Sequence, residues 1–230
     1  MIPIERLWKR LKFVSDYSSL KESQLKIIMP VLEEEAAQKE FKRIQHLLIK
    51  SGIKNIKTLE EFDWKFNPKI PRNKIISFSE SDWVDQIKNM VLIGPTGVGK
   101  THIAKALCYQ AIQNGIPAAY TTCFDLVAKL KKSKNRYALI HYYASVKVFC
   151  LDELGYVFPS QEDANNIFQI ISKRSELAPT ILTTNLVPSG WGKIFEAATA
   201  TAILDRLNLN GVFIACEGKS YRTRNKNKNS

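Results

Sequence analysis

The segment Gly94-Pro95-Thr96-Gly97-Val98-Gly99-Lys100-Thr101 constrains the fold of this 230-residue chain more than any other. It satisfies G-x-x-x-x-G-K-[ST], follows the apolar run Asn89–Ile93 and opens a helical pattern over 100–114. The glycines let the backbone curl so that successive N–H groups face inward. The start of the following helix adds partial positive charge, and together they cradle phosphate oxygens. A strand, this loop and a helix in that order predict a P-loop. Lys100 then reaches the β- and γ-phosphates of a nucleoside triphosphate, and the Thr101 hydroxyl coordinates Mg²⁺. Gly94, Pro95, Thr96, Gly97, Val98 and Gly99 line the cradle, with His102 joining them in the first helical turn.

Further along, Val148-Phe149-Cys150-Leu151-Asp152-Glu153 reads as a buried strand ending in two carboxylates, the pattern of a Walker B motif. Asp152 is placed to hold Mg²⁺, directly or through water, and Glu153 to orient and deprotonate an attacking water. An acid pair here favours hydrolysis over phosphoryl transfer to a small acceptor. A later strand, Thr180–Thr184, leads into Asn185, whose amide is positioned to sense a γ-phosphate.

Around these motifs helical and strand patterns alternate. Strands are expected at Asn89–Ile93, Ala118–Thr122, 146–151 and Thr180–Thr184, with helices over 100–114, 124–132 and 164–176. That alternation implies right-handed crossovers and an α/β fold with a mostly parallel sheet flanked by helices. Upstream, Ile4, Leu7, Trp8, Leu11 and Val14 recur at helical spacing in a basic amphipathic helix. A second helix is expected to start at Pro30, with Glu33, Glu34 and Glu35 favoured by its N-terminal dipole, and to stop at Gly52. Residues 55–82 read as a link into the main domain.

Lys and Arg number 34 against 22 Asp and Glu, a formal net charge of +12. On an otherwise ordinary globular composition this predicts a polyanionic partner, nucleic acid first. The four cysteines, Cys108, Cys123, Cys150 and Cys216, form no C-x-x-C pair and do not cluster with histidine. That argues against a zinc site or a disulfide framework. Charges at Glu5, Arg6, Lys9, Arg10 and Lys12 interrupt any secretory leader, and the longest uncharged stretch is too polar to span a bilayer. A cytoplasmic protein without a membrane partner is expected.

In sequence order, the 94–101 loop, Leu151-Asp152-Glu153-Leu154-Gly155-Tyr156, Leu182-Thr183-Thr184-Asn185, Trp191-Gly192-Lys193-Ile194-Phe195, Ala202-Ile203-Leu204-Asp205-Arg206-Leu207 and Gly218-Lys219-Ser220-Tyr221-Arg222 resemble the IstB-like ATP-binding proteins. These are AAA+ helper ATPases of insertion-sequence transposition, related to the DnaC helicase loader. The segment 59–64 also resembles that family's lead-in to the ATPase domain. The resemblance implies a small helical domain over 1–58 that binds DNA or a partner, an AAA+ domain over 59–224 and a disordered basic tail over 225–230. It makes Lys100, Thr101, Asp152 and Glu153 the ATP, Mg²⁺ and hydrolysis residues and Asn185 the first sensor. Arg206 becomes the arginine finger that completes a neighbouring subunit's site, with Arg174 as the alternative, and Arg222 the second sensor. It further implies a homo-oligomer with ATP at subunit interfaces and a transposase as partner. Lys219 and Lys147 depart from the family pattern, where acids are usual, and both add positive charge.

The run Lys129, Lys131, Lys132, Lys134 and Arg136 contains no acid and is the candidate DNA-binding surface, joined by Lys219, Arg222, Arg224, Lys226 and Lys228. Contacts of that kind read phosphates and not bases, so duplex binding should be largely independent of sequence. Two other readings stay open at this point: a helicase loader with the same ATPase core, and an ATP-switched DNA scaffold with little turnover. A small-molecule kinase is a further alternative for which no acceptor site is visible.

Overall fold

Apolar runs bounded by turn residues become strands, and amphipathic stretches between them become helices. In the computed structural model, which describes residues 4–11, 20–156 and 159–223, the elements run α1 (Ile4–Leu11), α2 (Glu22–Ser51), α3 (Arg72–Glu80), β1 (Asn89–Ile93), α4 (Lys100–Gln113), β2 (Ala118–Thr122), α5 (Cys123–Lys132), α6 (Arg136–Ser145), β3 (Val148–Leu154), α7 (Gln161–Arg174), β4 (Thr180–Thr184), α8 (Ala197–Asn208) and β5 (Gly211–Ala215). Short 3₁₀ segments span Pro188–Lys193 and Tyr221–Thr223. The expected Val14 end of the first helix and the basic residues Arg224, Lys226 and Lys228 lie outside the described residues. No helix among the described residues is long and apolar enough to cross a membrane.

The chain divides into two compact units, Met1–Leu47 and Leu48–Ser230. In the first, Leu7 and Leu11 of α1 bury against Leu32 and Ala36 of α2. Here the structure corrects the expected helix start: α2 begins at Glu22 and runs through Pro30. The Gln24 side chain accepts the Lys21 N–H at 2.8 Å and Glu22 pairs with Lys26 at 2.9 Å, so the first turns close without proline's help. A proline inside a helix costs about 3 kcal/mol, offset here by the apolar seam on either side of it. Glu33, Glu34 and Glu35 therefore sit in mid-helix, beyond the reach of the N-terminal dipole. Glu35 pairs with Lys39 and Glu34 accepts from Gln38, both one turn on.

The second unit is built on a five-stranded parallel sheet of order β2-β3-β4-β1-β5. Strands β1, β2 and β4 have the expected bounds. Strand β3 starts at Val148 and continues to Leu154, beyond the expected end. Helix α7 starts earlier than expected, at Gln161, because Ser160 and Asp163 form a reciprocal capping box. Three helices and one strand were not anticipated: α3, α6, α8 and β5. Helix α3 lies within the expected link, its Ile75 and Phe78 buried and Phe78 packed on Trp83 at 5.2 Å. Helix α6 carries little apolar periodicity and is set by Asn135, whose side chain accepts the Ala138 N–H at 2.9 Å.

Arg174 is fully buried, at 0% exposure, which removes it as a residue that could reach a neighbouring subunit. Its guanidinium donates to the carbonyls of Tyr143, Ala144 and Val146 at the end of α6, to Pro179 O and to Thr180 Oγ1, at 2.6 to 3.2 Å. It thereby satisfies the orphan carbonyls of α6 and ties that helix to the start of β4. Arg174→Met should cost about 3 kcal/mol, because several buried acceptors lose their donor. For a chain of this size that lowers the Tm by roughly 6 to 12 °C in thermal unfolding. A loss under about 1 kcal/mol would show that water replaces the guanidinium.

Candidate functional site

In an open parallel sheet, ligands bind beyond the C-terminal ends of the strands, where the strand order reverses. Strand β1 lies between β4 and β5, and β3 lies beyond β4. The loop after β1 and the ends of β3 and β4 therefore open onto one crevice. A cavity of about 440 Å³ occupies it, lined by Thr96 to His102, Glu153, Tyr156, Thr183, Tyr221, Arg222 and the aromatic rings of Phe62 and Phe66.

The phosphate loop has the conformation its glycines allow. Gly97 and Gly99 have φ of +83° and +113°, and a Cβ at Gly99 would fall 2.5 Å from the Phe62 ring. Only glycine permits both the left-handed turn and that approach. Lys100 is largely buried, and its Nζ donates to Gly94 O at 2.6 Å and Pro95 O at 2.8 Å. Burial lowers its pKa from the ordinary lysine value, while the charges of Asp152 and Glu153 oppose the shift. The ammonium is thus held against the loop it would leave to meet a phosphate.

The acidic pair is shaped by a bulge. In a regular strand Asp152 and Glu153 would face opposite sides of the sheet. Instead, β3–β4 pairing shifts register between Leu151 and Leu154, and Glu153 adopts φ +62°. The Glu153 N–H donates to the Thr183 hydroxyl at 2.9 Å in place of a strand carbonyl. A left-handed non-glycine residue costs about 1–3 kcal/mol and persists where its surroundings enforce it. The result is that Glu153 lines the cavity while Asp152, 1% exposed, lies directly beside the loop.

Asp152 accepts from three hydroxyls. Thr101 Oγ1 donates to its Oδ1 at 3.1 Å, Thr183 donates to the same oxygen, and the Tyr120 hydroxyl donates to Oδ2. A carboxylate and a hydroxyl side by side at a phosphate loop are the hard oxygen donors that Mg²⁺ selects, so Thr101 and Asp152 fit that ion. Glu153 has a raised pKa, first because it is partly buried and second because of the Asp152 charge.

The other expected residues are distributed as follows. Arg222 lines the cavity. His102 lines it as well, but its Nε2 is engaged with Thr58 O at 2.7 Å and its ring meets Phe62 edge-on at 5.1 Å. Burial lowers its pKa. Asn185 is exposed beyond the end of β4, beside Gly155, and the β4 residue lining the cavity is Thr183. Arg206 lies outside the cavity. Its Nε donates to Ser172 Oγ and its Nη1 to Ala202 O, both at 3.0 Å, with the guanidinium 5.2 Å from the Phe168 ring. Of the basic run, Lys131 pairs with Asp163 at 3.0 Å, Arg136 with Glu162, and Lys129 donates to the Tyr143 hydroxyl. Lys132 and Lys134 are exposed and form no ion pair among the described residues.

Sequence reasoning missed Thr183, Tyr120, Tyr156 and Asn67. Thr183 stands inside the Leu182–Asn185 motif, but it is buried like every residue of β4, so no alternation along the strand singles it out. Tyr156 also lies in a quoted motif, and its hydroxyl meets Thr96 Oγ1 at 3.0 Å. Nothing local marks Tyr120 or Asn67, whose partners are distant in sequence.

A five-stranded parallel sheet of order β2-β3-β4-β1-β5, with a phosphate loop after β1 and acids at the end of β3, its neighbour but one, defines a P-loop protein of the AAA+ type. The fold is similar to that in the crystal structures of DnaI (TM-score 0.60, 22% identity, 71% of this chain and 89% of that one) and of the DnaC helicase loader (TM-score 0.54, 22% identity, 64% and 88%). The family model for IstB-like ATP binding protein matches residues 8–229, and the chain belongs to that family. Similar relatives include the ATP-binding protein named for insertion sequence IS5376 of Geobacillus stearothermophilus, 31% identical over 95% of this chain and 89% of that protein. The one named for IS21 of Pseudomonas aeruginosa is 37% identical over 75% of this chain and 67% of that protein.

Proposed function

We propose that this chain is an ATP-hydrolysing, DNA-binding transposition helper that oligomerises on duplex DNA and recruits or activates a transposase. The observation that carries the reading is the meeting of Lys100, Thr101, Asp152 and Glu153 in one crevice, in a chain of a family named for ATP binding whose relatives are named for insertion sequences. The loop N–H groups and Lys100 bind the phosphates. Thr101 and Asp152 hold Mg²⁺, which when bound neutralises phosphate charge. Glu153 accepts a proton from the attacking water, and Arg222 meets the nucleotide from the C-terminal segment. Arg206, exposed enough to reach outward and paired with no carboxylate among the described residues, completes the site of an adjacent subunit. Asn185 reports on the γ-phosphate through the β4 end.

ATP-dependent assembly on duplex DNA, followed by sedimentation, tests the reading together with pull-down of an insertion-sequence transposase. No assembly with ATP and no transposase contact would overturn it, whereas capture of a replicative helicase on single-stranded DNA would replace it with a helicase loader.

The basic run is now divided between residues with internal partners and residues free for phosphate. Lys132→Glu/Lys134→Glu should weaken duplex binding at every sequence and lower the log–log salt slope by about 2. Replacing Lys131 should act mainly on stability, since it holds Asp163 at the cap of α7. Filter binding across salt concentrations checks this, and an unchanged slope in the double variant would place the DNA elsewhere.

A further inference from the structure

One buried polar side chain near the site belongs to none of the nucleotide motifs. Asn67, 4% exposed, stands in the Phe66-Asn67-Pro68 segment ahead of α3. Its Oδ1 accepts the Lys219 N–H at 2.9 Å, and its Nδ2 donates to Lys219 O at 3.0 Å and to Val98 O at 3.3 Å. One amide thus satisfies both backbone groups of a C-terminal residue and one carbonyl of the phosphate loop. The approach is close: a Cβ on Gly218 would fall 2.2 Å from Asn67 Oδ1, so glycine is required there. Just beyond, the Tyr221 N–H donates to Gly97 O at 2.9 Å and the Tyr221 ring meets Phe66 edge-on at 5.1 Å.

These contacts matter for Arg222. It is exposed on the cavity wall, and among the described residues no hydrogen bond or ion pair holds its guanidinium. Its place is set by its backbone, a single 3₁₀ turn over Tyr221–Thr223 that is too short to stand alone. We propose that Asn67 is the positioning residue that docks the 218–222 segment on the phosphate loop and so fixes Arg222 at the nucleotide. The proposal rests on the reading of Arg222 as a nucleotide contact. It adds a direction of action: the segment ahead of α3, not the phosphate loop itself, determines whether the arginine is available. Because the Lys219 contacts use only backbone atoms, the unusual lysine at that position leaves the clamp intact.

The test is a double-mutant cycle in the full chain with Asn67→Ala, Arg222→Ala and their combination, reading equilibrium binding of ATP with Mg²⁺. Each single variant is expected to weaken binding about 10-fold, and the double variant to bind no more weakly than Arg222→Ala, because coupled residues are not additive. Multiplying losses would mean that Asn67 acts independently of Arg222 and would overturn the proposal. Amide hydrogen exchange provides the second arm. Asn67→Ala should speed exchange at Tyr221 and Lys219 while β3 amides keep their protection, and unchanged exchange at Tyr221 would also overturn it. Should the alanine variant fold poorly, Asn67→Asp serves in the same cycle. It keeps the acceptor for Lys219 N–H but sets a carboxylate oxygen against two carbonyls, and is expected to lose as much. A wild-type chain that fails to bind ATP would refute the nucleotide reading, and the exchange arm would still decide whether Asn67 holds the segment.

Discussion

Glu153→Gln is expected to lower ATP turnover by about 10²- to 10⁴-fold, the range for removing a general base, while ATP affinity stays close to that of the wild type. The amide keeps the size of the side chain and the left-handed backbone, and it leaves Lys100, Thr101 and Asp152 untouched. What it removes is the group able to take a proton from water. Phosphate release and nucleotide binding, measured on the same preparations, check the pair of outcomes. Equal rates in variant and wild type would remove Glu153 from the mechanism. The same substitution carries a stability signature. Partial burial, and then the Asp152 charge, raise the Glu153 pKa above its unfolded value, so folding favours the protonated acid. Its contribution to stability is full below the unfolded pKa and is lost as pH rises through the folded one. Without nucleotide or divalent cation, Glu153→Gln should therefore have the higher Tm at pH 7, and the difference should shrink as the pH falls toward about 4.5.

Arg206→Ala should leave binding of ATP by single subunits unchanged and reduce assembly-dependent turnover by about 10³-fold or more. The guanidinium is absent from its own chain's cavity, and its partners Ser172 Oγ, Ala202 O and the Phe168 ring are all uncharged. A half-buried cation with neutral partners keeps its charge available for an external anion. Mixing is the sharper form of the experiment. An Arg206→Ala subunit retains Glu153, and a Glu153→Gln subunit retains Arg206, so combining the two inactive variants should restore part of the activity. No recovery in assembled mixtures would place Arg206 in a structural role between α7 and α8.

Much of this site was legible from short-range pattern. The phosphate loop is contiguous, and β1, β2 and β4 are short runs rich in apolar, aromatic and β-branched residues, so motif and strand bounds follow from local sequence. What local pattern could not give was set by partners far along the chain. The bulge that turns Glu153 into the cavity depends on the Thr183 hydroxyl replacing a backbone acceptor. Tyr120 acquires meaning only because β2 lies next to β3, and Asn67 only because the chain returns to it at Lys219. Proline at position 30 signals a helix start because proline is favoured at a first helical position. The packing of Leu32 and Ala36 on α1 overrides it. Arg174 is the alternative trans-acting arginine on sequence grounds, and only the carbonyls of α6 gathered around it show why it is buried.

The most direct test of the account is the rate of phosphate release per subunit as wild-type protein concentration is raised, with ATP, Mg²⁺ and duplex DNA in excess. A site completed by a neighbour's arginine predicts specific activity that climbs with concentration and levels off as subunits assemble, with DNA moving the rise to lower concentration. Specific activity that is independent of concentration and indifferent to DNA would contradict it.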